Sequence, residues 1–167
     1  MKLIIILKKL NSRCIFVRIT FNMFTHEYFM KEALKEARKA YDKDEVPVGA
    51  VVVCNNTIIA RAHNLTETLN DATAHAEMQA ITAASEYLGG KYLDQCSLYV
   101  SLEPCPMCAG ALFWAQLGNL IYGASDEKRG YSLVNSRLLH PKTQIVAGIY
   151  QNEASQLIKE FFVKKRK

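Results

Sequence analysis

Two cysteines spaced three residues apart stand where a helix is expected to begin. Cys105 and Cys108 are separated by one helical turn, so both sulfurs can face the same side. The positive end of a helix also favours a thiolate over a thiol. His75 opens another expected helix, and two thiolates with a neutral imidazole offer Zn²⁺ three ligands. The sequence therefore predicts a metal site at His75, Cys105 and Cys108.

The spacing alone leaves other interpretations open. The cysteine pair is also typical of a redox pair or of two small buried apolar side chains. A structural zinc site needs a fourth protein ligand, and no further side chain follows at a matching short spacing. Suitable atoms on other elements belong to His26, His63, His140, Cys54 and Cys96. With three ligands only, the fourth position is open to water, which is the mark of a catalytic zinc.

Glu77 is the candidate proton carrier of such a site. Zinc lowers the pKa of a bound water from about 15.7 toward 7, so hydroxide is available at neutral pH. A carboxylate that is not a ligand must then take the proton and deliver it to the leaving group. On an ideal helix His75 and Glu77 point about 200° apart, so they share a pocket only if the first turn is distorted. Glu77 alone equally fits an ordinary first-turn carboxylate that the helix dipole stabilises.

The segments around these residues resemble the zinc deaminase superfamily. His75, Ala76 and Glu77, followed by Pro-Cys-Pro-Met-Cys at 104–108, match its signature, in which the glutamate acts as general acid and base. A wider match resembles the bacterial tRNA-specific adenosine deaminases, which convert the wobble adenosine of an anticodon to inosine. It comprises residues 46–50, 73–77 and 102–105 with Asn64, Ala109, Gly110, Asp126, Lys128 and Gly130. The resemblance covers residues 24 to 165, with gaps in the last third.

This resemblance implies an enzyme with one zinc ion per subunit. His75, Cys105 and Cys108 would hold the zinc, and Glu77 would carry the proton during attack on C6 of adenine and loss of ammonia. The implied partner is a tRNA anticodon loop, whose single-stranded bases are easily unstacked. A homodimer in the cytoplasm is expected as well.

The resemblance also implies residues that contact the substrate. Asn64 would hydrogen-bond the flipped base and Val48 would form part of its pocket, while Asp126 and Lys128 would meet the ribose and phosphates beside it. RNA contacts on the last helix would come from Phe161, Phe162, Lys164, Lys165 and Arg166. These residues also have simpler interpretations. Asn64 fits a turn residue, Val48 the core of a strand and Asp126 a loop cap. The two phenylalanines fit the core, and the basic run fits a solvated end of the helix.

Two departures from the family concern its RNA-binding loops. Residues 131–135 read Tyr-Ser-Leu-Val-Asn in place of an expected glycine and serine stretch, and Thr66 stands where some relatives carry Arg. The altered loop favours a second hypothesis, a deaminase of free nucleobases or nucleosides of the guanine or cytosine type. A third is a structural zinc-binding module without catalysis. The pattern Asp126, Lys128 and Gly130 favours the tRNA adenosine deaminase.

Helices and strands alternate after an opening hairpin. Helices are predicted over residues 25–43, 74–87 and 106–116 and after a cap at Asn152, and strands over 50–54, 57–62, 97–102, 120–123 and 144–150. This order predicts an α/β fold, a three-layer α/β/α sandwich with a mixed five-stranded sheet. In the resembling superfamily this is the cytidine deaminase-like fold. Core positions are expected at Met78, Ile81, Leu112, Phe113 and Trp114, the last two being alternatively a dimer surface.

Length and composition limit the classes of protein. A chain of 167 residues, half of them apolar, suits one folded domain and excludes disorder. We assign residues 23–167 to the deaminase domain and residues 1–22 to a non-native or flexible extension. The alternative for the extension is an extra edge strand from Cys14 to Thr20. Five scattered cysteines favour a reducing compartment, and no apolar run approaches the roughly 20 residues that cross a bilayer.

Charge is unevenly distributed along the chain. Residues 1–22 carry five basic and no acidic side chains, and residues 159–167 carry five basic and one acidic. The net charge of +5 therefore conceals a negative body between two positive ends. This distribution argues against a general basic face and is compatible with a basic terminal helix that reaches a phosphate backbone.

Overall fold

A computed structural model describes residues 4–10, 13–19 and 24–166 of the chain. Its strands are β1 (Ile4–Leu10), β2 (Arg13–Ile19), β3 (Gly49–Cys54), β4 (Thr57–His63), β5 (Cys96–Leu102), β6 (Asn119–Ala124) and β7 (Gln144–Ala147). Strands β3 to β7 form one sheet in the order β4-β3-β5-β6-β7. The β3 pairs with β4 and β5 are antiparallel, and the β5-β6 and β6-β7 pairs are parallel. The predicted mixed five-stranded sheet is confirmed.

Five α-helices accompany the sheet in the described part of the chain. They are α1 (His26–Asp42), α2 (Ala76–Leu88), α3 (Pro106–Trp114), α4 (Tyr131–Val134) and α5 (Gln151–Lys165). Helices α2 and α3 pack on one face of the sheet, and α1 and α5 pack on the other. These three layers confirm the predicted α/β/α sandwich.

Strand β3 shows how the sequence specifies both layers. Its residues are almost all buried, and successive side chains of a strand point to opposite faces. Ala50 and Val52 therefore join the core beneath α2 and α3, whereas Val51 and Val53 join the core beneath α1. The β3-β4 turn uses Asn55 and Asn56, both with positive φ (48° and 60°), as a tight hairpin requires.

The segments that carry the candidate site meet at one edge of the sheet, where the strands begin or end. The parallel strands β5 and β6 both end there, while β3 begins and β4 ends at the same edge because β3 runs antiparallel to both of its neighbours. Backbone hydrogen bonds connect neighbouring segments at this edge. The Asn64 N–H donates to the Val48 carbonyl (3.0 Å) and the Glu103 N–H to the Ala124 carbonyl (2.8 Å).

Several details differ from the sequence-based predictions. Asn152 lies inside α5 and is not its cap, since the helix already follows Tyr150. Trp114 is not a core residue, because 79% of its surface is exposed, whereas Leu112 is fully buried as expected. The short helix α4 was not predicted, because four residues are too few to show a helical period.

The N-terminal strands also differ from the alternative weighed for that region. Strand β2 pairs with β1 in an antiparallel sheet of their own and does not extend the five-stranded sheet. Thr20, the last residue of the alternative edge strand, lies outside the described residues. Nowhere in the described ranges is a helix both long and apolar enough to cross a membrane.

Candidate active site

The three predicted ligand residues lie close together at the edge of the sheet where β5 and β6 end. They are His75, Cys105 and Cys108. The His75 Nδ1 atom lies 3.7 Å from Cys105 Sγ and 3.5 Å from Cys108 Sγ. One ligand atom from each of the three residues lies within 4.8 Å of the others. Within the described part of the chain this is the one cluster of three or more histidine, cysteine or acidic residues suited to a metal ion.

The distances fit a tetrahedral zinc ion. Bonds of about 2.3 Å to sulfur and about 2.0–2.1 Å to nitrogen place a sulfur and a nitrogen ligand roughly 3.6 Å apart around a tetrahedral centre. Both observed sulfur to nitrogen distances lie close to that value. The donor set is also one that zinc prefers, since it combines one imidazole with two thiols. The three residues can therefore hold a metal ion through Nδ1 and two sulfurs.

Helix starts explain how the three side chains meet. His75 is the cap residue before α2, with extended backbone angles (φ −67°, ψ 154°). Cys105 is the corresponding cap of α3 (φ −73°, ψ 168°), and Pro106 follows it at the first helical position, where no N–H is needed. Because His75 lies outside the helical period, the opposite orientation expected for His75 and Glu77 does not arise. No distortion of the first turn is needed, because the helix begins after His75.

The titration of the metal group reflects its close packing. A hydrogen bond from the Cys108 thiol, aided by His75, lowers the pKa of Cys105 to about 4. The same contact with Cys105 and the burial of the sulfur raise the pKa of Cys108. The hydrogen bond to Cys105 raises the pKa of His75. Cys105 is thus already disposed toward the thiolate that a metal ion requires.

Glu77 is buried beside this group. Its side chain is 3% exposed, and burial raises its pKa to about 7. His75 and Cys108 both lie close enough to influence the charge of the carboxyl group. A carboxyl group with a pKa near neutrality can accept a proton and release it again at physiological pH. The structure therefore brings Glu77 to the metal group, an arrangement that helical spacing alone did not predict and that the resemblance to the zinc deaminases implied.

A cavity of about 390 Å³ opens beside the metal group. His75 and Cys105 line it together with Lys128 and Gly130 of the loop after β6. Apolar side chains of Met107, Leu133 and Val134 form the rest of its mouth. Part of this wall comes from residues 131–135, the segment that departs from the family pattern.

The loop from Asn64 to His75 closes on itself beside the metal group. Asn64 is buried (4% exposed) and follows β4 directly. The Leu65 N–H donates to the Ala74 carbonyl (3.0 Å), so the two ends of the loop are held together. Asn64 and His75, the residues that flank this hydrogen-bonded pair, therefore lie at the two ends of a closed loop. Val48 lies next to Asn64 through the backbone hydrogen bond described above.

Glu103 anchors the loop after β6. Its buried carboxylate accepts from the Asp126 N–H (3.1 Å) and from the Ser132 N–H (3.1 Å). Asp126 itself accepts from the Lys128 and Arg129 N–H groups, both at 3.0 Å, which makes it a loop cap in this structure. Glu103 was not predicted from the sequence, although it lies two residues before Cys105.

Gly130 is required by this anchor, and its replacement by alanine is expected to be harmful. A Cβ at position 130 would lie 2.5 Å from the Glu103 Cδ, inside contact distance. Gly130→Ala should lower the free energy of unfolding by about 1–3 kcal/mol, as other overpacked sites do. Denaturant unfolding measures this. Gly90→Ala is the matched control, because its Cβ meets open space; an equal effect of both substitutions would contradict the anchor.

The C-terminal residues predicted to contact RNA do not share one environment. Phe161 is buried (3% exposed) against Tyr41, whereas Phe162 is 43% exposed. Lys164 and Lys165 both pair with Asp44. Asp44 belongs to the turn between α1 and β3, so these ion pairs place both lysines beside that turn. The lysines therefore lie at the same sheet edge as the metal group, and the exposed Arg166 follows them.

Comparison with known proteins identifies the family. A sequence model of the MafB19-like deaminases matches residues 24–166. The chain is a MafB19-like deaminase. This match spans the metal group, Glu77 and both loops, so the deaminase is a hydrolytic enzyme.

Individual relatives of this deaminase are more specific. It is 45% identical over 150 residues to the tRNA-specific adenosine deaminase of Bacillus subtilis (strain 168), covering 87% of this chain and 93% of the relative. A solved structure described as concerning A-to-I editing by tRNA:A34 deaminases at the wobble position superposes with a TM-score of 0.72. It is 42% identical and covers 77% of this chain and 97% of its own. The predicted family resemblance and cytidine deaminase-like fold are confirmed.

A guanine deaminase is also similar. The solved structure of that enzyme from Bacillus subtilis has a TM-score of 0.61 and 38% identity. The match covers 71% of this chain and 79% of the guanine deaminase. The fold is therefore common to deaminases of different substrates, and the fold alone does not decide the substrate.

Proposed function

We propose that this deaminase converts the wobble adenosine of a tRNA anticodon to inosine by hydrolysis. The observation that carries the proposal is the three-ligand group with the buried Glu77 beside it, in a chain 45% identical to a tRNA-specific adenosine deaminase. A transfer RNA as substrate implies the cytoplasm as the place of action.

The proposed cofactor is one zinc ion per subunit, held by His75 Nδ1 and the sulfurs of Cys105 and Cys108. When bound, zinc acts as a Lewis acid that makes water a nucleophile at neutral pH. Within the described residues no fourth histidine, cysteine or acidic side chain completes the group. This supports a catalytic site over the structural zinc module, which needs a fourth protein ligand.

Glu77 is proposed to carry the proton of the reaction. Hydrolysis forms a bond from the water oxygen to C6 of adenine and breaks the bond from C6 to the exocyclic nitrogen. Glu77 accepts a proton from the water and delivers it to that nitrogen, which leaves as ammonia. Its burial excludes competing solvent and raises its pKa to about 7, which suits both steps.

The substrate is proposed to enter from the cavity side. Asn64 and Val48 would contact the flipped base, while Lys128 and the loop capped by Asp126 would meet the ribose and phosphates. Lys128 supports this role because it lines the cavity together with His75. A base splayed out of a single-stranded loop is the form of RNA that such a concave site can accept.

A homodimer is also proposed. Trp114 at the end of α3 is 79% exposed, and Leu133 and Val134 of α4 are 58% and 69% exposed. Contacts join α3 to α4, so these apolar side chains belong to neighbouring elements. Large apolar side chains exposed on adjacent elements are typical of a protein interface.

The substrate can be tested directly. Purified protein is incubated with an anticodon stem-loop RNA that carries adenosine at the first anticodon position, and separately with guanine, cytosine and adenosine. Inosine and ammonia are then measured. We expect inosine in the RNA and no ammonia from the free compounds; ammonia from a free base alone would refute the tRNA substrate.

Guanine is the second candidate substrate. The 38% identity to a guanine deaminase favours it, as does the altered segment 131–135 at the mouth of the cavity. A free purine lacks the phosphates that Lys128 and the last helix would contact. Ammonia from guanine that is independent of salt concentration would support this candidate.

The basic end of α5 is expected to strengthen RNA binding. Replacing Lys164 and Lys165 by alanine should weaken the affinity for the anticodon stem-loop and reduce the slope of log K against log salt by about 0.7–0.9 for each phosphate contact that is lost. Fluorescence anisotropy at several salt concentrations measures both. Lys91 and Lys142 precede β5 and β7 at the opposite edge of the sheet, so their double alanine variant is the matched control. An identical slope in the two double variants would exclude the proposed contact.

A further inference from the structure

Glu45 is a buried carboxylate outside the metal group and the proposed proton transfer. Its surface is 0% exposed. Within the described ranges, no lysine, arginine or histidine forms an ion pair with it. A buried charge without a counterion is costly unless hydrogen bonds replace its lost water. The hydrogen-bond donors around Glu45 therefore identify the segment that this residue stabilises.

Four donors surround the carboxylate, and all belong to the segment that follows β4. Oε1 accepts from the Thr68 N–H (2.7 Å), and Oε2 accepts from the Glu67 N–H (3.1 Å). Oε2 also accepts from the Thr66 hydroxyl (3.3 Å) and from the Asn64 Nδ2 (3.0 Å). Burial raises the pKa of Glu45, but these hydrogen bonds outweigh burial and hold it below its ordinary value. Glu45 is therefore an anion at neutral pH.

This anion determines the orientation of the Asn64 amide. A carboxylate only accepts hydrogen bonds, so the amide nitrogen of Asn64 and not its oxygen must face Glu45. The same nitrogen donates to Thr66 Oγ1 (2.9 Å), and the Thr66 hydroxyl donates to Glu45. Three side chains thus close a triangle of hydrogen bonds that leaves Asn64 one amide orientation.

We propose that Glu45 is a positioning residue for substrate recognition, because it holds Asn64 and the start of its loop in the arrangement that receives the base. The inference rests on the proposed function, in which Asn64 contacts the substrate. Glu45 touches no reacting atom and acts through Asn64 alone. If Glu45 were neutral, the opposite amide orientation of Asn64 would become accessible, and fewer molecules would be ready to bind.

Glu45→Gln tests the role of the charge at nearly constant size. A glutamine side chain carries its own N–H₂ group and can face the Asn64 oxygen, so the amide is no longer restricted to one orientation. We expect kcat/KM on the anticodon stem-loop to fall about 10-fold to 100-fold, the usual effect of losing charged hydrogen bonds. Zinc content should be unchanged.

Glu32→Gln is the matched control. Glu32 is also a buried glutamate (8% exposed), but its carboxylate pairs with Lys35 of α1 and Arg61 of β4. Its loss should leave kcat/KM within about twofold of the parent value, since neither partner belongs to the metal group or to the Asn64 triangle. Thermal unfolding of both variants separates a general loss of stability from a specific effect on recognition.

A double-mutant cycle with Asn64→Ala decides whether Glu45 acts through Asn64. In the Asn64→Ala background there is no amide to orient, so Glu45→Gln should lower kcat/KM by less than about threefold further. A merely structural role would reduce kcat/KM equally in both backgrounds. An equal reduction, or no reduction in the single variant, would overturn the proposal.

Two further measurements keep the test decisive. If Glu45→Gln does not fold, Thr66→Val removes one side of the triangle and leaves the carboxylate in place; its effect on kcat/KM should also vanish in the Asn64→Ala background, and persistence there would overturn the proposal. If the parent protein deaminates guanine and not RNA, the proposed substrate is wrong. The same cycle run on guanine then still tests whether Glu45 orients Asn64.

Discussion

Glu77→Gln is expected to retain zinc and to lose deaminase activity by about 10²-fold to 10⁴-fold, the range that a general acid and base contributes. Glutamine has the size of the buried glutamate but cannot accept a proton from water or deliver it to the leaving nitrogen. The proposed metal ligands His75, Cys105 and Cys108 are unchanged in this variant. Single-turnover deamination of the anticodon stem-loop measures the rate, and elemental analysis measures the zinc.

The control for this variant lies on the same helix. Glu86 is an exposed glutamate near the end of α2, so Glu86→Gln removes one charge from the helix without touching the site. It should deaminate at the parent rate. A Glu77→Gln enzyme that keeps more than about a tenth of the parent rate would rule out the proton-carrier role.

Cys105→Ser is expected to abolish metal retention, and with it the activity. A serine hydroxyl is not ionised at neutral pH, so the site would lose one of its two thiolates. Loss of an outer partner of a ligand already costs 10-fold to 100-fold in affinity, so loss of the ligand itself should cost about 100-fold or more. Zinc per subunit is measured after dialysis against metal-free buffer.

Cys54 provides the comparison for the cysteine variant. It is a half-buried free cysteine at the far end of β3, and it does not belong to the metal group. Cys54→Ser should keep a full complement of zinc. Retention of zinc by Cys105→Ser at the level of Cys54→Ser would remove Cys105 from the ligand set and invalidate the site.

The metal group was predictable because its chemistry is rare. Cysteine and histidine are uncommon, and the spacing of Cys105 and Cys108 restricts both to one helical turn. The relation of His75 to Glu77 was less accessible to sequence reasoning. A helical period does not apply to the cap residue before a helix, and the exact cap depends on backbone angles that a residue type does not specify.

The burial of Glu45 and Glu103 could not be predicted. Glu45 ends the polar run Asp42, Lys43, Asp44 and Glu45, in which nothing distinguishes the one residue that lies fully inside. Its four donors come from a segment about twenty positions later. Similarly, the exposure of Trp114 depends on what packs against α3, and the apolar type of the residue is the same in a core and on a surface.

The sequence by itself predicted the order of the layers and the cluster of His75, Cys105 and Cys108, and its resemblance to the zinc deaminases implied Glu77 as the proton carrier. The layers and the cluster follow from local properties: alternation along strands, periodicity along helices and the chemistry of single side chains. Only the tertiary structure decided which carboxylates are buried, which lysines pair with Asp44, and how Asn64 is held. Burial and hydrogen-bond partners arise between segments far apart in the chain, and no local pattern records them.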